Sequence, residues 1–529
     1  MSYLVHDLIF AAAGATPTAE ALVDGRRRLD YAGLAALVGH AAGALLAQGV
    51  RRGERVAVYM EKNCEHVAAL FGAAAAGAVF VPVNPLLKPE QVAYILNDCN
   101  VRVLVTTADR LRALAPALAD CTDLRAVLAL GADAAPAWPA GLPPVRDWQR
   151  AIDAAAPAPA SAAIDADMAA ILYTSGSTGQ PKGVVLSHRN LMAGAASVAG
   201  YLGNHPGDRI LALLPLSFDY GLSQLTTAFR SGATVVLLNH LLARDVVRAV
   251  VAERITGLAA VPPLWMQLSA LDWPADCSLR YLTNSGGAMP RATLDALRRA
   301  LPAARPFLMY GLTEAFRSTY LPPEQLDRRP DSMGKAIPNA EVLVLRPDGS
   351  VCAPGEAGEL VHRGALVSLG YWNDAARSAE RFKPYRSEQG GLTLQEMAVW
   401  SGDTVRRDEE GYLYFISRND EMIKTSGYRV SPGEVEAVLY AHAPIAEAVA
   451  LGVPHPTLGQ AIVVVAQARP GQALDGGALL AACRPHLPAY MQPHKVVIAA
   501  DSLPRNPNGK IDRKLLSIQH AASFAEPAA

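Results

Sequence analysis

Residues 171–191 read ILYTSGSTGQPKGVVLSHRNL. An apolar run stops at Tyr173. Nine residues follow, with two threonines, two serines and two glycines, and they end at Lys182. Gly176, Gly179 and Gly183 let the backbone bend and turn its N–H groups inward. Thr174, Ser175, Ser177 and Thr178 add hydroxyl donors, and Lys182 adds a point charge suited to a terminal phosphate. Taken alone, the stretch reads either as a phosphate cradle or as an ordinary Gly/Ser surface loop.

The commoner phosphate and hydrolase motifs are missing around it. No two glycines lie two residues apart, which removes the dinucleotide G-x-G fingerprint. The Gly-Lys pairs at 334–335 and 509–510 have no glycine five residues upstream, so there is no Walker A loop. Neither G-x-S-x-G nor H-E-x-x-H occurs.

Either side of the loop, short β-branched runs alternate with longer Ala/Leu-rich stretches. RVAVYM (55–60), AVFVPV (78–83) and VRVLVTT (101–107) precede it; ILALLPLS (210–217), ATVVLLN (233–239) and FLMYG (307–311) follow. Nearly continuous apolar strands separated by helices predict parallel sheets covered on both faces. Residues 131–168 are rich in Ala and Pro and read as a surface connection between two lobes. From about residue 340, AEVLVLRPDGS, GELVHRG and GYLYFISR are short strands split by turns, which predicts a small β-rich subdomain. Beyond Arg418, SPGEVEAVLYAH starts like a helix, with Ser431 at the cap and Pro432 in the first turn. The expected fold is α/β: a large domain over 1–417 with its β-rich subdomain, a small α+β domain over 418–515, and a disordered tail over 516–529. A chain of 529 residues is too long for one core, which agrees.

Composition excludes other classes. Formal net charge is −1, so nothing global draws the chain to nucleic acid or anionic lipid. Six cysteines are scattered, with no zinc or redox spacing, as buried thiols in a reducing cytoplasm would be. The N-terminus lacks a basic start before its apolar residues and does not read as a signal peptide. Residues 67–83 carry no charge and approach the length of a membrane span, but Ala, Gly and Pro82 predict a buried helix running into a strand.

Five motifs in order give the loop partners. They are YTSGSTGQPKG (173–183), YGLTE (310–314), SGD (401–403), SRNDEMIKTSGYRVSP (417–432) and LPRNPNGKIDRK (503–514). Together they resemble the AMP-forming adenylating enzymes: acyl-CoA synthetases, the adenylation domains of peptide synthetases, and firefly luciferase. Ser401 and Ser417 depart from the family's usual Thr and Gly. LPLSFDYGL and KTSGYRVSP also resemble, more distantly, the ligases associated with bacterial exosortase systems.

The resemblance implies that a carboxylate attacks the α-phosphorus of ATP, pyrophosphate leaves, and a thiol then attacks the acyl-adenylate. It implies that the 174–182 loop wraps the β- and γ-phosphates. Tyr310 would offer a face to adenine, with Gly286 and Gly287 making room for it. Thr313 would bond the α-phosphate, and Glu314 would bind Mg²⁺. Asp403 has two acceptor oxygens for the ribose hydroxyls, and Arg418 would reach ribose or phosphate. Asp420 would be the hinge on which the small domain swings. Lys510 would bridge the attacking carboxylate and the α-phosphate. Lys424, Ser426 and Gly427 would belong to the loop that accepts CoA.

Substrate choice stays open at this level. Phe218, Asp219 and Tyr220 fall in the segment that lines the acyl pocket in this family. Asp219 could grip a substrate ammonium, as Phe-Asp does in peptide-synthetase domains, or could cap a helix. Trp265 reads as core. Free CoA is the favoured acceptor, with a separate acyl carrier protein as the alternative; a nucleotide-binding relic without activity is the third reading.

Overall fold

The computed structural model describes every residue except 1, 135–137, 139–140, 175–179, 390, 419–421, 443, 470, 506–510 and 525–529, and every side chain except also those of 134, 387–389, 392–394, 418 and 442. Two large sheets and one small one organise the chain. The first has eight strands. Strands Arg55–Tyr59, Val79–Pro82, Val101–Thr107, Ala126–Leu130 and Val145–Asp147 run parallel, and Val79–Pro82 is also parallel to Met168–Thr174. Their residues are buried almost without alternation, as a sheet with helices on both faces requires. The uncharged 67–83 run divides into the buried helix Cys64–Ala75 and the strand Val79–Pro82. Among the described residues no helix is long and apolar enough to cross a membrane.

The second sheet has a parallel middle between antiparallel ends, the nearer end being the strand Arg27–Asp30 paired antiparallel with Glu20–Asp24. Strands Glu20–Asp24, Thr234–Leu237, Arg209–Ala212, Gly257–Ala260, Tyr281–Asn284 and Arg305–Leu312 are parallel in that spatial order. From Phe316–Leu321 onward the pairing is antiparallel, through Ser332–Ala336, Leu413–Arg418, Leu392–Arg407, Ala357–Gly364 and Ala340–Leu345. The turn-rich segment after residue 340 is therefore one antiparallel end of a sheet whose middle is parallel.

The small third sheet pairs Ile423–Thr425, Tyr428–Val430, Ile445–His455, Gly459–Ala468 and Lys495–Ile498. Alternation along its strands sorts two cores. Ala448, Ala450 and Val464 pack with the helices Pro432–His442 and Gly476–Cys483, while Val449, Leu451 and Val465 pack with Leu503, Ile511 and Leu516.

Three expectations change. Residues 131–168 are more than a connection: Val145–Asp147 adds a strand, and the helix Trp148–Ala154 buries Trp148 and Ile152 against the first lobe. Ala and Pro around two spaced apolar residues hid that element. The tail does not begin at 516, because the helix Arg513–Gln519 crosses that point and buries Leu516. Ser431 precedes its helix, but among the described residues its buried hydroxyl has no hydrogen-bond partner and does not cap it.

Candidate active site

The 171–191 stretch is a β-hairpin. Strands Met168–Thr174 and Lys182–Ser187 are antiparallel, with Thr174 opposite Lys182. Ser175, Gly176, Ser177, Thr178 and Gly179 lie outside the described residues. Thr174 lines the cavity described below, and its buried hydroxyl has no partner among the described residues. Lys182 begins the return strand and turns inward. Its Nζ donates to Glu314 Oε1 at 2.8 Å and to the Tyr371 hydroxyl at 2.7 Å. Tyr371 donates in turn to the same Glu314 oxygen at 2.7 Å.

Three separate stretches of sequence build this cluster. The strand Gly370–Tyr371 pairs with Lys182–Ser187, which sets Tyr371 beside Lys182. Glu314 sits in the tight turn between Arg305–Leu312 and Phe316–Leu321. Gly311 makes that turn feasible, since a Cβ there would stand 2.0 Å from the Phe316 carbonyl oxygen. Burial opposes the Glu314 charge, but Lys182 and the two hydrogen bonds hold the carboxyl well below the usual carboxylate range. Burial also lowers the Lys182 ammonium, with Glu314 acting the other way.

The cluster adjoins a cavity of about 1110 Å³ whose lining includes Thr313 and Glu314. Toward one end lie Gly286, Gly287, Tyr310 and Asp403. Gly286 has φ +81°, and a Cβ on Gly287 would press on Pro262 at 3.2 Å. The Tyr310 hydroxyl donates to Asp403 Oδ2, and its ring lies over His362 with centroids 6.2 Å apart. Asp403 is fully buried in the strand Leu392–Arg407, opposite Arg418 in register; the Arg418 side chain is not among the described ones.

Phe218, Asp219 and Tyr220 form another wall. Asp219 is the first residue inside the helix Asp219–Arg230, and Phe218 occupies the cap position without a side-chain cap bond. The helix-cap reading of Asp219 is thus corrected: its carboxyl faces the cavity. Burial raises that carboxyl above its ordinary range, and the nearby Arg317 charge opposes the rise. Tyr220 bonds Thr283 at 2.7 Å. Trp265 is core, donating to the carbonyls of Ala260 and Thr283.

The small domain covers this wall. Lys424, Ser426, Gly427 and Arg429 line the cavity, and the Tyr428 ring meets Phe218 edge-on at 5.2 Å while stacking on Tyr490 at 3.9 Å. Asp420 and Lys510 lie outside the described residues. Leu503 and Ile511, on either side of residues 506–510, pack on the opposite face of the small sheet and are not among the lining residues. Tyr371, His362, Tyr428 and Tyr490 were not singled out from sequence. Only GYWN (370–373), a glycine-aromatic pair between loops, hinted at Tyr371.

Comparison with known proteins gives a consistent picture. Residues 9–372 match the model of the AMP-binding enzymes, and residues 434–510 match that of the AMP-binding enzyme C-terminal domain. An L-proline--[L-prolyl-carrier protein] ligase of Pseudomonas fluorescens is 34% identical over 98% of this chain and 99% of its own length. The indoleacetate--CoA ligase of Aromatoleum aromaticum is 33% identical over 94% of each. Among solved structures, the amide bond synthetase McbA from Marinactinospora thermotolerans superposes with a TM-score of 0.84 at 26% identity, covering 98% of this chain and 99% of that one.

Proposed function

The chain belongs to the AMP-binding enzyme family and is an AMP-forming ligase, and from that membership we propose that it activates a carboxylic acid as its acyl-adenylate and passes the acyl group to the thiol of CoA. The observation that carries this reading is one continuous cavity. It joins Tyr310 and Asp403, the Lys182–Glu314 pair, the Phe218–Tyr220 wall and the 424–429 segment of a second domain.

In this reading Asp403 accepts from the ribose, Tyr310 and Gly286–Gly287 frame adenine, and Arg418 reaches the sugar or phosphate. Thr313 bonds the α-phosphate. Lys182 leaves Glu314 for the leaving pyrophosphate, joined by the loop hydroxyls of 174–178 and the backbone of Gly176 and Gly179. Glu314 is kept ionised and is the donor type a magnesium ion takes alongside phosphate and water oxygens. Such an ion would neutralise charge developing on the phosphates. Among the described residues no three His, Cys, Asp or Glu side chains cage a metal, which suits a site completed by substrate.

Lys510 is assigned to adenylation, bridging the acid and the α-phosphate. With Leu503 and Ile511 on the far face of the small sheet, it would enter the cavity only after the small domain turns about Asp420. The observed arrangement, with Lys424, Ser426 and Gly427 facing in, supports the thiol-transfer half of the cycle. We divide the chain accordingly into 1–417 and 418–515. Its six free thiols are consistent with a cytoplasmic setting.

A second reading puts the phosphopantetheine arm of a separate carrier protein in place of CoA. It is favoured by the 34% identity to a carrier-protein ligase over nearly the whole chain. The test is carboxylate-dependent pyrophosphate exchange over a panel of acids, followed by competition between CoA and a carrier protein bearing a free phosphopantetheine thiol. Exchange with an acid and thioester on CoA supports the first reading. Thioester only on carrier supports the second, and no exchange with any acid overturns both.

A further inference from the structure

Lys62 lies on the cavity wall, two residues before the helix Cys64–Ala75, and its side chain is used by none of the roles above. It is only 9% exposed. Its Nζ donates to the Leu213 carbonyl oxygen at 2.9 Å, and among the described residues it has no carboxylate partner. An ammonium carries three donors, so two N–H groups remain for something else. A buried ammonium without a counter-charge is costly, and proteins ordinarily pair such groups.

Apart from Glu61, whose carboxylate is paired with Arg110, the neighbours are of the same sign or neutral. His66, 2% exposed, also lines the cavity; its Nδ1 lies 3.3 Å from the Glu61 carbonyl oxygen, and its Nε2 has no partner among the described residues. His240 lines the same corner, and Asn239 donates to the Lys62 carbonyl at 2.8 Å. Burial lowers the ammonium of Lys62 to about 8 and the imidazole of His66 to about 4, and it lowers His240 as well. The acids nearby are engaged: Glu61 with Arg110 at 2.7 Å, and Asp245 with Arg248. The helix start adds nothing of its own, because its Cys64 and His66 N–H groups already donate to Asp24 and Asn63.

We propose that Lys62, with His240 beside it, is an anion-accepting corner of the cavity that holds a second anionic oxygen group. That group is either a distal carboxylate on the substrate acid or the phosphate of the incoming pantetheine arm. The inference rests on the proposed acid–thiol ligase function. The anion would supply the counter-charge that the fold leaves out, and it would set the length of the molecule that spans from Glu314 to Lys62.

Calorimetric titration tests this without turnover, so that loss of adenylation and loss of the anion corner read separately. The probes are matched pairs differing only in the terminal group: glutarate against pentanoate, suberate against octanoate, and 4′-phosphopantetheine against pantetheine. The wild-type protein should bind the anionic member of one pair about 10- to 100-fold more tightly, the span of a charge-assisted hydrogen bond. Lys62→Met should erase that preference, and Lys62→Arg should keep part of it. A preference among the acids makes the substrate a diacid; one confined to the pantetheine pair assigns the corner to the thiol arm. Equal binding within every pair in the wild type, or a preference that survives in both Lys62→Met and Lys62→Gln, overturns the proposal.

Discussion

Lys182 and Glu314, 132 residues apart in sequence, form a buried ion pair at 2.8 Å in which both partners also touch the Tyr371 hydroxyl. In the resting protein the loop cation is already committed to a carboxylate. In the proposed function, nucleotide binding would therefore exchange one anionic partner for another and would not bring a free lysine to order. Removing one member of a buried pair strands the other, at about 3–5 kcal/mol. Lys182→Met and Glu314→Gln should each destabilise the fold by that order in urea unfolding. The double variant should lose less than the sum, with a coupling of about 1–3 kcal/mol. Pyrophosphate exchange should fall about 10²–10³-fold in each single variant.

Tyr371→Phe removes a hydroxyl that bonds two charged groups and leaves the ring in place, where Lys182 Nζ lies 4.1 Å from its centroid. The expected loss is about 1–3 kcal/mol of stability. Exchange should fall less than in Lys182→Met, because the cation and the carboxylate still meet. Equal rates in the two variants would remove Tyr371 from the site.

For Lys510→Ala, exchange should drop by more than about 10²–10³-fold. Thioester formation from preformed adenylate should stay within several-fold. Loss of both half-reactions in parallel would place Lys510 outside adenylation.

Gly427 stands at φ +83°, and a Cβ there would come within 2.6 Å of Val261 Cγ2. Gly427→Ala adds backbone strain of about 1–2 kcal/mol to that collision. The thiol half-reaction should lose about tenfold or more in kcat/KM, while adenylation changes less. Trimming the wall by Val261→Ala in the same protein should recover part of the loss.

Stability should fall with acid in a window set by three buried histidines. Burial lowers His66 and His188 to about 4 and His362 to about 3. Their unfolded value is about 6.5. Between those limits the unfolded chain binds more protons, so the stabilisation is complete above about pH 6.5 and is lost as pH falls toward 4 and 3. Each histidine contributes on the order of 3 kcal/mol. His188 shows why: its Nδ1 accepts from the Val5 N–H at 3.1 Å and cannot carry a proton there. Among the described residues neither ring nitrogen of His362 has a partner. His362→Phe should therefore raise Tm at pH 5 and flatten the slope of Tm against pH.

Much of the site could be read from the sequence where chemistry is local. The position of Lys182 at the end of its Gly/Ser-rich stretch drew attention to a cation that the fold brings to Glu314, and apolar strands between Ala-rich stretches announce a covered parallel sheet. The parts that escaped depend on distant pairing. Tyr371 becomes a site residue only because a two-residue strand pairs with Lys182–Ser187. Asp219 looked like a cap because Asp often precedes helices, yet Phe218 takes that place and the carboxyl is left to the cavity. Lys62 and His66 look like an ordinary helix start until Leu213 and His240 are brought over them. In 131–168, Ala and Pro diluted the spacing of Trp148 and Ile152 below a readable period.

The edge contact between Phe218 and Tyr428 has a consequence for evolution and engineering. One ring belongs to the wall proposed to hold the acyl group and the other to the domain that covers it, so the two surfaces cannot diversify independently. A graft that transplants the acyl wall alone from a relative would meet a cover shaped for a different ring. Successful changes of substrate in this scaffold should therefore come in pairs, one on each side of the joint.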